Sequence, residues 1–259
     1  MADSTLSLTY TELLDAVAYF VYGKAYDDAT AGEKSKCDEI VNIGYRQFLY
    51  PPTVEGIPQG YEWSFLRPVT TLETTEDDAD QDLPDDFGRL IDGFTFEDNA
   101  QVPSVLADVG EGKIRRLRQQ YSETGRPRVA GIRIKAGTGT VGQRREVMWF
   151  PTPDDAYTLG YKYEALTDKL TSDKPYPLGA MKHAETLRLS VLAAAAATMN
   201  DNYGIHWENF LRMLASSVKR DQREGQKYFG NVGSHGEYDE HPEGRLYNYS
   251  LTVSGVEIE

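Results

Sequence analysis

Tyr157-Thr158-Leu159-Gly160-Tyr161-Lys162-Tyr163-Glu164 changes polarity at every step. Successive side chains of a strand point to opposite faces, so Tyr157, Leu159, Tyr161 and Tyr163 share one face against Thr158, Gly160, Lys162 and Glu164. This period of two predicts a half-buried strand, and the same pattern spreads upstream. Ala130, Ile132, Ile134 and Ala136 alternate with Gly131, Arg133 and Lys135, and a glycine turn at Gly137 to Gly142 leads into Val147-Met148-Trp149-Phe150, the signature of a hairpin. From Tyr61 to about Pro175 short runs and turn residues follow one another as in antiparallel sheet. The basic segment Lys113 to Gln120 predicts a helical turn or two packed on that sheet.

Outside this region the period becomes helical. Thr9 and Glu12 have capping-box spacing, Leu13, Leu14, Val17 and Val21 recur every three or four residues, and Gly23 supplies a stop. A second box, Thr30 with Glu33, opens a helix whose apolar face is Cys37, Ile40, Val41, Gly44, Tyr45 and Phe48 and which must end before Pro51-Pro52. After Pro175-Tyr176-Pro177, the residues Leu187, Val191, Leu192 and the alanines 193 to 197 predict a long helix to about Asn202. Trp207, Phe210, Leu211, Leu214 and Val218 form the stripe of a last one. The expected fold class is α+β: an antiparallel helical bundle formed by residues 1–52 and 176–224, an inserted antiparallel β-rich domain over 53–175, and an extended tail over 225–259 that needs a partner to become ordered.

Composition narrows the function. The 259 residues are 40% hydrophobic, enough for a sizeable core, and carry a formal charge of -14 that opposes bulk nucleic-acid or anionic-membrane binding. No membrane span and no secretion signal is expected. The lone Cys37 allows neither an internal disulfide nor a cysteine zinc cluster, places folding in a reducing compartment, and reads as a core residue.

No motif carries catalysis. Gly137 to Gly142 satisfies G-x-G-x-x-G, but Arg144-Arg145-Glu146 leads into a strand where a nucleotide phosphate needs a helix N-terminus. Gly110-Glu111-Gly112-Lys113 lacks the rest of a phosphate loop, and His183 with Glu185 lacks the zincin spacing. His235, Glu237, Asp239, Glu240 and His241 are metal-ligating types, expected to be solvated in an acidic tail. The acidic run Glu76 to Asp82 lacks the glycine and terminal glutamate of a calcium loop and is expected to be a solvated loop. No catalytic residue, cofactor site or metal site is therefore predicted. The basic cluster Lys113, Arg115, Arg116 and Arg118, followed by Arg126 and Arg128, points to the acidic face of a neighbouring subunit.

Several phrases are similar to those of tailed-phage head-to-tail connectors, the neck adaptor or tail tubular protein A-like family. They are Ile43-Gly44-Tyr45-Arg46-Gln47-Phe48-Leu49-Tyr50-Pro51-Pro52, Tyr61-Glu62-Trp63-Ser64-Phe65-Leu66, Leu83-Pro84-Asp85-Asp86-Phe87-Gly88, Gly125-Arg126-Pro127, Trp149-Phe150-Pro151-Thr152-Pro153-Asp154 and Pro175-Tyr176-Pro177-Leu178-Gly179. The resemblance runs over roughly residues 10 to 225. It implies a structural virion protein in a dodecameric ring at the neck, between the phage portal protein and a downstream tail protein, with genomic DNA passing through its channel. An acidic wall that repels phosphate suits such a channel. Tyr228, Phe229, Tyr247, Tyr249 and Leu251 are expected to anchor the tail on the portal or an adjacent subunit, since exposed aromatics in a polar segment are interface anchors. Arg115, Arg116 and Arg118 are the expected subunit contacts. Two alternatives differ in class. One is a monomeric carbohydrate- or receptor-binding β module, suggested by the tyrosine strand. The other is a glycan hydrolase, for which the sequence names no carboxylate pair.

Overall fold

A computed structural model describes residues 4–53, 60–97, 109–137, 142–200, 204–225, 251–253 and 256–258. The fold is mixed α+β, with five helices and two small antiparallel sheets among the described residues of the unit Met1–Gly225, and a second unit, Gln226–Glu259.

Helices α1 (Tyr10–Tyr22) and α2 (Ala31–Leu49) begin at the two capping boxes, where the threonine hydroxyl and the Glu12 or Glu33 carboxylate satisfy orphan backbone amides reciprocally. Gly23 ends α1 in the left-handed conformation, φ 68°. Helices α4 (Ala180–Asn200) and α5 (Gly204–Gly225) follow the sheets. One hydrophobic cluster takes Leu13 and Val17 from α1, Ile40, Val41 and Phe48 from α2, Leu187 and Val191 from α4, and Phe210, Leu214 and Val218 from α5. Cys37 is fully buried in it.

The α2 and α4 backbones touch at Gly44. A Cβ there would lie 2.5 Å from the Val191 Cα, and Ser190 Oγ donates a 2.8 Å hydrogen bond to the Gly44 carbonyl. Glycine on one helix and the alanine run on the other allow this approach.

The first sheet has the order β1 (Val69–Glu73), β6 (Thr158–Ala165), β3 (Phe87–Phe96); the second has β2 (Asp80–Asp82), β5 (Arg145–Phe150), β4 (Val129–Ile134). Strand β6 is central and shows the expected alternation, with Leu159, Tyr161 and Tyr163 buried. Strands β4 and β5 form the expected hairpin pairing, Val129 to Phe150 through Ile134 to Arg145. Phe94, Ala130, Val147, Trp149 and Tyr161 join both sheets in a second core. The basic segment is a ten-residue helix, α3 (Glu111–Gln120), longer than expected, and it seats the fully buried Ile114 against Met148 and Phe150.

Within the tail, β7 (Leu251–Val253) pairs antiparallel with β8 (Val256–Ile258). One expectation needs correction. The acidic run is not one solvated loop. Asp80 and Asp82 lie in β2; Asp80 is half-buried and paired with Arg118 and Arg133, Asp82 is exposed but paired with Lys135, and the exposed turn at Glu76, Asp77 and Asp78 carries no ion pair among the described residues.

Burial and nearby carboxylates hold several tyrosines protonated. Desolvation and then Asp38 push Tyr26 up to about 12, desolvation and then Asp86 push Tyr163 to about 12, and desolvation and then Tyr163 push Tyr161 to about 12. Unfolded tyrosine ionises near pH 10, so between pH 10 and 12 the unfolded chain loses protons that the folded chain keeps. Stability is therefore full below pH 10 and falls as pH rises to 12, by on the order of 2 kcal/mol for each of the well-buried Tyr161 and Tyr163. Thermal melts should be flat from pH 7 to about 9.5 and drop steeply above 10, in step with the ultraviolet absorbance of tyrosinate.

Candidate functional site

The β region presents two unlike flanks. On one, β1 and β2 are tied by the Gln81 side-chain amide, which donates to the Glu73 carbonyl. Val69 is 73% exposed, and the turn between these strands carries Glu76, Asp77 and Asp78 with no ion pair among the described residues. On the other flank, β3 and β4 border an open cleft of about 450 Å3 whose lining includes Leu90, Ile91, Ile132, Ile134 and Arg145. Arg126 stacks its guanidinium 3.7 Å from the Phe96 ring centroid, and its Nε and Nη2 are buried without a hydrogen-bond acceptor among the described residues.

The predicted basic residues do not form one surface. Arg115 is exposed and pairs with Glu111 one turn away at 2.8 Å; Arg116 is exposed and donates to the Gly112 carbonyl at 3.1 Å. Arg118 points inward. Its Nη1 binds Asp80 at 2.8 Å, its Nη2 donates to the carbonyls of Ala79 and Trp149, and so it pins α3 across the second sheet. Asp80 also takes Arg133 at 3.0 Å, and Arg133 continues to Glu146 at 2.6 Å. The bond to Glu146 is the main reason the Arg133 guanidinium is held more firmly protonated than usual. Of the expected tail anchors, Tyr228, Phe229, Tyr247 and Tyr249 lie outside the described residues, as do His235 to His241; Leu251 is in β7.

Sequence reading did not single out a buried carboxylate, Asp221 of α5. It accepts from Tyr61 Oη at 2.5 Å, from the Ser64 amide at 2.9 Å and from Ser64 Oγ at 2.5 Å, clamping the short 3-10 turn Ser64–Leu66 onto α5. Burial, then Asp221 itself, raises the Tyr61 hydroxyl well above its ordinary value. Beside the clamp, His183 meets Trp63 edge-on at 5.0 Å, among Phe48 and Phe65. Neither arrangement opens a nucleophile or an acid–base pair to a cleft, and no cluster of metal-ligating residues occurs among the described residues. The buried clamps fix shape, while Val69 and the cleft between β3 and β4 are open at the surface.

The sequence model of the SU10 adaptor protein family matches residues 8–232, a range that spans α1 to α5 and β1 to β6. The chain belongs to the SU10 adaptor protein family. No curated protein matches it. As an SU10 adaptor it is a phage structural protein of the virion, works by contact with other virion proteins and is not an enzyme. This agrees with the resemblance to phage adaptors read from the sequence, at the level of adaptor rather than of the tail tubular protein A-like group. Among the described residues of this SU10 adaptor no helix is long and apolar enough to cross a membrane.

Proposed function

We propose that this SU10 adaptor is one subunit of a dodecameric ring at the virion neck, docked on the portal and continued by a tail protein, with a central channel for DNA. The family match across residues 8–232 carries this reading. Three features support it. Helices from both sides of the β region contribute to one hydrophobic core, which suits a bundle carrying an inserted β-rich domain. The charge of -14 suits a channel wall past which phosphate slides. The exposed Val69 and the open cleft between β3 and β4 suit contact with another protein. In this reading Tyr228, Phe229, Tyr247, Tyr249 and Leu251 anchor the tail on the portal or a neighbour, and Arg115, Arg116 and Arg118 contact a neighbouring subunit, Arg115 and Arg116 from exposed positions and Arg118 from its half-buried one beside Asp80.

Negative-stain electron microscopy of the purified protein, alone and mixed with its portal, tests the proposal. Twelvefold rings or caps on the portal are expected. A protein that stays monomeric and ignores the portal would return the reading to a monomeric binding module.

A further inference from the structure

The two flanks of the β region are complementary to each other, not merely different. Hydrogen bonds at the strand ends show which backbone groups face outward. Pro68 accepts from the Tyr163 amide at 3.2 Å and the Thr74 amide donates to Tyr157 at 2.9 Å, so even-numbered residues of β1 bond β6. Val69 and Thr71 therefore turn their amides and carbonyls away from the sheet, where no described residue meets them. On the other flank the Lys135 amide donates to Arg144 at 2.9 Å, which places the odd-numbered residues of β4 against β5 and leaves Ile132 and Ile134 facing outward in the same way.

The features also match in height. Lys162 of β6 pairs with Val69 on one side and with Asp92, between the cleft residues Ile91 and Gly93, on the other. Leu159 pairs with Leu72 and with Phe96. Just past that row, the first flank has the carboxylates of Glu76, Asp77 and Asp78 and the second has Arg126 stacked on Phe96. An exposed valine thus stands level with a cleft lined by Ile91, Ile132 and Ile134 and by Arg89, Arg133 and Arg145, and acids without an ion pair among the described residues stand level with a half-buried arginine that likewise has none, on opposite edges of one body. A surface that complements its own far side generates head-to-tail contacts, which close into a ring when the rotation allows.

We propose that a second copy of the chain occupies the cleft: the β1–β2 flank of one subunit packs on the β3–β4 flank of the next, Val69 entering the cleft and the Glu76 to Asp78 turn meeting Arg126. The outward backbone groups of Val69 and Thr71 and of Ile132 and Ile134, unmet among the described residues, supply main-chain recognition, and the charges set the direction. This rests on the ring reading above and names its lateral interface.

The test is cross-linking through Val69→Cys and Ile134→Cys, at positions 73% and 57% exposed, with the fully buried Cys37 silent. The double variant, treated with a short bis-maleimide in solution and in particles assembled from it, should give a ladder of covalent multimers. Each single variant and the wild type should stay monomeric on a denaturing gel. If wild-type rings form and the double variant gives no ladder, the interface is wrong and the ring reading stands. Dimers from a single variant would show a two-fold contact and overturn the proposal. Absence of wild-type rings both in solution and in particles overturns the interface and the ring together.

Discussion

Gly44→Ala lowers the stability of the chain by about 2–4 kcal/mol, although alanine is the better helix former by about 1 kcal/mol. The added methyl would sit 2.5 Å from the Val191 Cα and 2.8 Å from its amide nitrogen, and backbone atoms cannot swing aside as a side chain can. Relief requires α2 and α4 to separate, which breaks the Ser190 to Gly44 hydrogen bond and loosens packing along the alanine run. Gly32→Ala is the internal control. It lies in the first turn of α2 with nothing within 4 Å of the new Cβ, and should be neutral or stabilise by up to about 1 kcal/mol. Urea unfolding of both variants decides the matter. Equal midpoints for the two would show that the helices are free to part.

Asp221→Ala costs roughly 3–5 kcal/mol, because it leaves the Tyr61 hydroxyl and the Ser64 amide and hydroxyl without their acceptor in a site that is 3% exposed. Asp221→Asn retains one carbonyl oxygen and should lose less. The same urea measurement reads both, and tryptophan fluorescence adds a local report, since the Tyr61 and Trp63 rings are 5.3 Å apart. A loss below about 1 kcal/mol for the alanine variant would mean that the turn holds its place on α5 through Trp63 packing alone.

What the sequence showed and what it hid divide by range. The capping boxes at Thr9 and Thr30, the glycine stop of α1 and the β4–β5 hairpin are local, and each was legible from a few adjacent residues. Asp221 was not, because its partners Tyr61 and Ser64 lie 160 and 157 residues away, and nothing local marks one acid on a charged helix as buried. Asp80 and Asp82 read as solvated because they stand in a run of acids. Their partners Arg118, Arg133 and Lys135 arrive from elements 38 to 53 residues later. The bond from Arg118 to Asp80 was hidden for the same reason. The terminal hairpin did leave a signal, Leu-Thr-Val and Val-Glu-Ile separated by Ser254-Gly255, which the glycine- and tyrosine-rich surroundings obscured.

The α2–α4 seam also sets a timetable for synthesis. Gly44 and its partner Ser190 are 146 residues apart, so at about 5–20 residues per second a ribosome adds the second roughly 7 to 30 s after the first. Throughout that interval the face of α2 bearing Ile40, Val41 and Phe48 has no α4 to cover it, and the nascent chain is exposed to aggregation and to chaperone capture. Both sheets are translated in between, and pairing β1 with β6 draws the chain back on itself before α4 emerges. Early pairing of the β strands shortens the effective loop that α4 must close and lowers its entropic cost.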